Sequence, residues 1–186
     1  MARPAPHYSA LDAGVHLMRV LDTSAQLGAP VAVRFACLVH DLGDETASVE
    51  ARERSIQSLR AVCARLRVPT DCRELAGVVA REQGPIHGSG ELSAQAVVRL
   101  LERCDAFRKP ARFADVLLAC ECDARGRPGF GHGAYPQRQR LLDALAAAQQ
   151  VATDAIAQRA RSGGASGPEI GEMIHQARVA AVAAMA

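Results

Sequence analysis

His40 and Asp41 are adjacent in the sequence, at the end of an apolar segment and just before a glycine. An imidazole beside a carboxylate is a compact ligand pair for a divalent metal ion that must also bind water and phosphate. The same pair is also frequent at the polar end of an ordinary helix, so the dipeptide alone does not define a metal site. A metal site requires further ligands elsewhere in the chain.

Two further groups of metal-ligand type occur at a distance from this pair. His16 falls inside a predicted helix, and Asp123 ends a largely apolar helix predicted over residues 113–123. His16 on its own is equally compatible with a partly buried histidine that bonds a backbone carbonyl. Together with His40 and Asp41, however, these residues form a set of three or four nitrogen and oxygen ligands, which would leave open positions on a metal ion.

The segment that delivers His40 is predicted to be a helix over residues 31–40 and is apolar almost all round. A helix of this kind is expected at the centre of a bundle. Polar side chains at the end of a buried helix cost free energy unless they have partners. This position therefore favours a functional role for His40 and Asp41.

The elements that position these residues are all predicted to be helices. The chain of 186 residues is rich in alanine, leucine, valine and arginine, contains no tryptophan, and shows no useful strand-like alternation. This composition is typical of helices packed on helices. We expect an all-α bundle of about seven to eight helices, with a loop over 83–90 and one long alanine-rich helix from Pro136 to about Arg161.

The predicted domain organisation is simple. Residues 1–9 are expected to form a loose, proline-rich leader, and residues 10–186 a single helical domain. Within that domain the predicted core covers 10–130 and the C-terminal helices cover 136–186. The length suffices to bury one hydrophobic core.

Composition and charge argue against several classes of protein. The net charge is only +2, so no overall basic field indicates nucleic acid, and no apolar run is long enough to cross a membrane. The N-terminus lacks the apolar core of a signal peptide. No cysteine pair has the spacing of a zinc or redox motif, which predicts reduced core thiols in a cytoplasmic protein. The six are Cys37, Cys63, Cys72, Cys104, Cys120 and Cys122.

Several blocks around these residues resemble a known family, the C-terminal HD domain of bacterial CCA-adding tRNA nucleotidyltransferases, within the HD superfamily of metal-dependent phosphohydrolases. The resemblance runs from about residue 9 to residue 184. The blocks are Gly-Val-His-Leu-Met-Arg-Val-Leu (14–21), Val-Arg-Phe-Ala-Cys-Leu-Val-His-Asp-Leu-Gly (33–43), Arg-Leu-Arg-Val-Pro (65–69), Cys-Asp-Ala-Phe-Arg-Lys-Pro (104–110) and Cys-Asp-Ala-Arg-Gly-Arg-Pro-Gly-Phe (122–130).

The resemblance implies an HD-type helical fold and hydrolysis of nucleotide 2′,3′-cyclic phosphates, 2′-nucleotides and simple phosphate esters. It implies a divalent cofactor, with Ni²⁺, Mg²⁺ or Mn²⁺ as candidates, and places His16, His40 and Asp41 on the family's ligand positions, with His40 and Asp41 at the catalytic centre. The last ligand is either Asp123, which we favour, or Asp105.

The loop that follows Asp123 contributes two arginines to this interpretation. Arg125 and Arg127 lie in a glycine-rich, basic segment over residues 124–135. They are candidates to bind the substrate phosphate, although solvated loop charges are the simpler explanation for arginines in such a segment.

Three departures from the family pattern bear on activity. Asp44 replaces the lysine that follows the His-Asp-Leu-Gly motif, residues 45–54 contain no histidine, and Gln83 stands where a further histidine is expected, although His87 persists nearby. The motifs of the nucleotidyltransferase head are absent, so this sequence alone is not expected to add CCA. We therefore favour a hydrolase with a reduced ligand set.

The alternative interpretation is a catalytically silent domain. It would bind tRNA or a nucleotide through the basic loop and the last helices, or serve oligomerisation, with a homodimer as one assembly. Both interpretations exclude a membrane partner.

Overall fold

The computed structural model describes residues 10–42, 49–129 and 133–185, and every regular element within them is helical. The expected all-α class is confirmed, and the count of nine α-helices in the described residues is slightly above the seven to eight expected. The predicted leader over residues 1–9 and the position of Asp44 lie outside the described residues.

The helices follow one another with short connections and are numbered in chain order. Their bounds are α1 Ala10–Gln26, α2 Val31–Val39, α3 Val49–Arg65, α4 Thr70–His87, α5 Ala94–Arg103, α6 Pro110–Gly126, α7 Pro136–Gln149, α8 Thr153–Ser162 and α9 Gly167–Ala183, with a short 3₁₀ helix at Ser89–Glu91 between α4 and α5. None of the helices in the described ranges is long and apolar enough to span a membrane.

Helix α4 continues to His87, through most of the segment that was predicted to be a loop over 83–90. Pro85 lies inside this helix, and the amide of Gly88 still bonds the carbonyl of Gly84 at 3.0 Å. A proline removes only one donor from the helical ladder, and hydrogen bonding resumes beyond it. The loop prediction was therefore wrong, because it took the proline and glycines of this segment as a stop signal.

The predicted alanine-rich helix from Pro136 to about Arg161 is two helices, which accounts for part of the higher count. Ala152 leaves the helical region with ψ of 70°, and the amide of Thr153 bonds the carbonyl of Val151 at 2.8 Å. Asp154 then lies in the first turn of α8, where the helix dipole stabilises a carboxylate.

The chain forms two compact units. The first comprises residues 1–83 and 115–135, and the second comprises residues 84–114 and 136–186. Each has its own buried apolar side chains, such as Val20, Val33 and Leu117 in the first and Leu101 and Leu141 in the second. Compact units of this kind occur within single domains as well as between domains. The single domain over 10–186, with its core over 10–130, therefore stays a prediction.

Helix α2 is buried on one side only, in contrast to the central position expected for it. Val33, Ala36, Cys37 and Val39 are buried, whereas Val31 is 76% exposed. The buried side is the one that leads to His40, which is itself buried. The six cysteines are also buried and form no disulfide, as predicted for reduced core thiols.

The turn between α1 and α2 depends on Gly28. Its φ of +63° lies in the left-handed region. The amide of Gly28 bonds the carbonyl of Ala25, and the amide of Ala29 bonds the carbonyl of Ser24, at 3.0 and 2.9 Å. This is the Schellman arrangement, which satisfies carbonyls at the end of a helix. The turn sets the course of α2 after α1, and so the positions of the two helices that carry the histidines.

Replacing Gly28 with alanine should lower the free energy of unfolding by about 1–2 kcal/mol, because a side chain disfavours the left-handed conformation. Urea denaturation of the two proteins measures this difference. The matched control is Gly171→Ala, at a glycine of α9 with no atom within 4 Å of the added Cβ. There the change should be neutral or stabilising by up to about 1 kcal/mol. Equal effects at both positions would contradict the account of the turn.

Candidate metal centre

His40 ends α2 as a buried side chain with its ring held in one orientation. Its side chain is 3% exposed. The Nδ1–H donates to the carbonyl of Cys37, one turn earlier, at 2.7 Å. The Nε2 atom is buried and makes no hydrogen bond, although it lies 3.4 Å from Asp123 Oδ1. A histidine that donates one ring nitrogen to a backbone carbonyl presents the other nitrogen for metal binding.

His16 reaches the same carboxylate from the middle of α1. Its Nε2 lies 2.9 Å from Asp123 Oδ1, within hydrogen-bond distance. The two imidazole rings stand edge to face, with centroids 5.6 Å apart and planes inclined at 66°. Two imidazoles from different helices therefore converge on a single carboxylate oxygen.

Asp123 lies near the end of α6 and joins the two histidines. Its side chain is 7% exposed, and its other oxygen, Oδ2, is 3.4 Å from Arg127 Nη2. Each of His16, His40 and Asp123 offers one ligand atom, and these three atoms lie within 4.8 Å of one another. This spacing matches a single first-row metal ion bound at ligand distances of about 2.0–2.2 Å.

The carboxylates beside the two imidazoles raise the pKa values of both histidines. The hydrogen bond to Asp123 raises the pKa of His16 above its usual range, against the opposing effect of burial. Burial lowers the pKa of His40, but the contact with Asp123 and the charge of Asp41 outweigh it, so the pKa of His40 is also raised. The carboxylates thus attract positive charge to the space between the rings, whether it is a proton or a metal ion.

The remaining predicted ligands lie in different settings. Asp41 is at the edge of the cluster, with Oδ2 3.6 Å from His40 Nε2 and a side chain that is 36% exposed. Asp105, the competitor for the last ligand position, belongs to the second compact unit and pairs with Arg112 at 3.4 Å. The structure thus brings His16, His40 and Asp123 together and leaves Asp41 beside them.

The two arginines predicted to bind substrate are both paired with acidic residues of α6. Arg125 forms a 2.6 Å ion pair with Glu121, whose side chain is 8% exposed. Arg127 pairs with Asp123, and its side chain is 55% exposed. Arg127 is therefore the arginine that lies next to the cluster and also reaches solvent.

Sequence reasoning missed two features of this site. One is Glu121, which holds Arg125; the i,i+4 spacing of the two residues on a helix was a signal for this pair. The other is the Cys37 carbonyl that orients His40. A backbone acceptor leaves no trace in residue types, so only the structure could reveal it.

The fold and the cluster together define an all-α protein with a buried candidate metal centre of two histidines and an aspartate. The chain is 63% identical over 189 residues to the Multifunctional CCA protein of Polaromonas naphthalenivorans, with 98% of this chain and 45% of that protein covered. The proteins of the same name in Variovorax paradoxus and Acidovorax sp. are 62% and 60% identical, with similar coverage.

These relatives confirm the resemblance to CCA proteins, because almost the whole of this chain is similar to a part of each of them. It spans about 45% of the length of the curated relatives it matches. No protein-family profile matches the chain, and no solved structure matches it.

The His16–Asp123 contact should make the stability of the metal-free protein depend on pH. Because the pKa of His16 is raised on folding, its contribution is fully present below the unfolded pKa of about 6.5 and is lost as pH rises through the folded value. His16→Gln should therefore cost more free energy of unfolding near pH 5.5 than near pH 8.5 when both are measured by urea denaturation in EDTA.

The control for this prediction is Asp123→Asn, which removes the carboxylate. In that background, the cost of His16→Gln should vary much less with pH, because the largest cause of the raised pKa is gone. A His16→Gln cost that is the same at both pH values in the otherwise unaltered protein would contradict the inferred contact.

Proposed function

We propose that this chain is a metal-dependent phosphohydrolase or phosphodiesterase domain acting on nucleotide substrates, with 2′,3′-cyclic phosphates and 2′-nucleotides as the substrate class. The observation that carries the proposal is the convergence of His16, His40 and Asp123, with the buried Nε2 of His40 lacking a hydrogen bond. An unsatisfied buried nitrogen is costly, and a metal ion at this point would satisfy it.

The residues present fit a divalent metal ion. Two imidazole nitrogens and a carboxylate oxygen suit first-row transition ions, and Asp41 could add a fourth ligand from its position beside His40. This donor set favours Ni²⁺ or Mn²⁺ over Mg²⁺, which prefers a shell of oxygen ligands. The hydrogen bond from His40 to the Cys37 carbonyl would keep its Nε2 directed at the ion.

A metal bound here would supply a water of lowered pKa and polarise a phosphoryl oxygen. The side chains of this protein would position the metal ion and the substrate phosphate. His16, His40 and Asp123 would hold the ion, and Arg127, half exposed beside Asp123, would bind a phosphate oxygen from the solvent side. Arg125 would contribute less directly, because its ion pair with Glu121 is shorter than that of Arg127 with Asp123 and its side chain is less exposed.

The similarity to proteins named Multifunctional CCA protein supports a role connected with tRNA processing, and we place that role in the cytoplasm. A tRNA, or a nucleotide derived from one, is the partner most consistent with this similarity. This chain would then supply a hydrolytic activity alongside whatever the remaining part of such proteins does.

The second candidate is a domain that has kept the fold and lost the reaction. Asp44 in place of a lysine, and the absence of histidine over residues 45–54, favour this candidate, because both changes remove groups that would assist phosphate chemistry. Such a domain would act by binding tRNA or a nucleotide, or by forming a homodimer.

Hydrolysis of 2′,3′-cyclic AMP by the purified chain with added Ni²⁺ or Mn²⁺ tests the proposal. Removal of the metal with EDTA should abolish turnover, and His40→Ala or Asp123→Asn should each lower kcat/KM by about 100-fold or more, because each removes a ligand of the metal that activates water. The assay is followed by separation of the nucleotide products.

The matched control is Asp105→Asn, which removes a carboxylate of the same type in the second compact unit. Asn tolerates the left-handed backbone that Asp105 adopts, with φ of 54°. This variant should retain the activity of the unaltered chain. Absence of any turnover with any of the metals, together with salt-sensitive tRNA binding, would instead support the second candidate.

A further inference from the structure

Helices α1 and α6 approach each other unusually closely where Gly126 faces Val20. A Cβ built on Gly126 would lie 2.5 Å from Val20 Cγ2 and 3.1 Å from the Val20 amide nitrogen. The first distance is well inside van der Waals contact, and Val20 is completely buried, so its methyl groups have little room to move. Only a glycine fits at this position with the helices where they are.

This contact lies directly beside the candidate metal centre. Val20 is one turn after His16 on α1, and Gly126 is one turn after Asp123 on α6, so both pairs share a helix face. The close approach at Val20 and Gly126 is therefore continuous with the 2.9 Å contact between His16 and Asp123. A separation of the helices at one pair would lengthen the distance at the other.

We propose that Gly126 is a positioning residue of the candidate metal centre, because its lack of a side chain lets α6 approach α1 closely enough for Asp123 to meet His16. The inference rests on the proposed function for its metal, but the helix contact that it describes exists without one. Gly126 touches no substrate in this account and acts only through His16 and Asp123.

The first test is Ni²⁺ binding by calorimetry to the full chain. Gly126→Ala should weaken binding by about tenfold or more, the size of effect that outer-shell changes produce at metal sites. Val20→Ala combined with Gly126→Ala should bind within about threefold of Val20→Ala alone, because shortening Val20 makes room for the new Cβ. This rescue would show that the added Cβ acts through its contact with Val20.

The matched control is Gly14→Ala, two residues before His16 on α1. A Cβ at Gly14 meets no atom within 4 Å. Gly14→Ala should therefore bind Ni²⁺ as the unaltered chain does. If the unaltered chain binds Ni²⁺, unchanged affinity in Gly126→Ala, or a folded double variant that binds no better than Gly126→Ala, would overturn the proposal.

The second test needs no metal and separates this inference from the proposed function. In EDTA, a double-mutant cycle of His16→Ala and Asp123→Ala, followed by urea denaturation, measures the coupling of the two side chains. The coupling should be present in the unaltered chain and lost in the Gly126→Ala background. Persistence of the coupling would overturn the inference.

The outcomes of the two tests are distinguishable. A chain that binds no metal but loses the coupling in Gly126→Ala would refute the metal centre and leave the positioning role of Gly126 intact. If Gly126→Ala alone does not fold, the role of Gly126 is tested by comparing Val20→Ala/Gly126→Ala with Val20→Ala. A folded double variant that neither couples the pair nor binds Ni²⁺ would then contradict the role of Gly126.

Discussion

The carboxylate of Asp123 is the interaction on which the candidate site depends. It is almost fully buried, and it meets an imidazole from α1 and another from α2, at 2.9 and 3.4 Å. Burying a carboxylate without partners would cost free energy, and the contacts with the two histidines offset that cost. In this arrangement the Nε2 atom of His40 makes no hydrogen bond.

The helices that carry these groups are fixed by ordinary packing and not by the polar contacts. Val20, Val33 and Leu117 are fully buried in the compact unit that contains the site, one on each of the three helices involved. The Gly28 turn sets the direction of α2 after α1. Apolar burial thus provides the rigidity, and it holds the polar side chains of the candidate site at three points of this framework.

Much of this arrangement could be predicted from the sequence. The order of His16, His40, Asp41 and a late aspartate, within apolar helical segments, indicated a convergent set of ligands. The composition and the helical periodicity predicted the all-α class. The choice between Asp123 and Asp105 could not be made from residue types, because both follow largely apolar helical segments. The structure brings Asp123 to 2.9 and 3.4 Å from the two histidines, whereas Asp105 pairs with Arg112.

The boundaries that sequence analysis missed share a physical cause. Pro85 and its neighbouring glycines are weak helix formers, yet the ladder of α4 continues past them, so local propensity was overridden. Ala152 is a strong helix former, yet it lies outside both helices, between Gln149 at the end of α7 and Thr153 at the start of α8. In both places helix propensity gave the wrong boundary, because it is a weak guide that the rest of the fold can override.

X-ray absorption spectroscopy of the Ni²⁺-loaded chain tests the central claim most directly, because it reports the atoms bound to the metal. The account predicts one ion per chain with two imidazole ligands and the rest oxygen. Replacing His40 with alanine should reduce the imidazole count to one. A shell of oxygen ligands alone, or a spectrum unaffected by His40→Ala, would contradict a metal centre built from His16, His40 and Asp123.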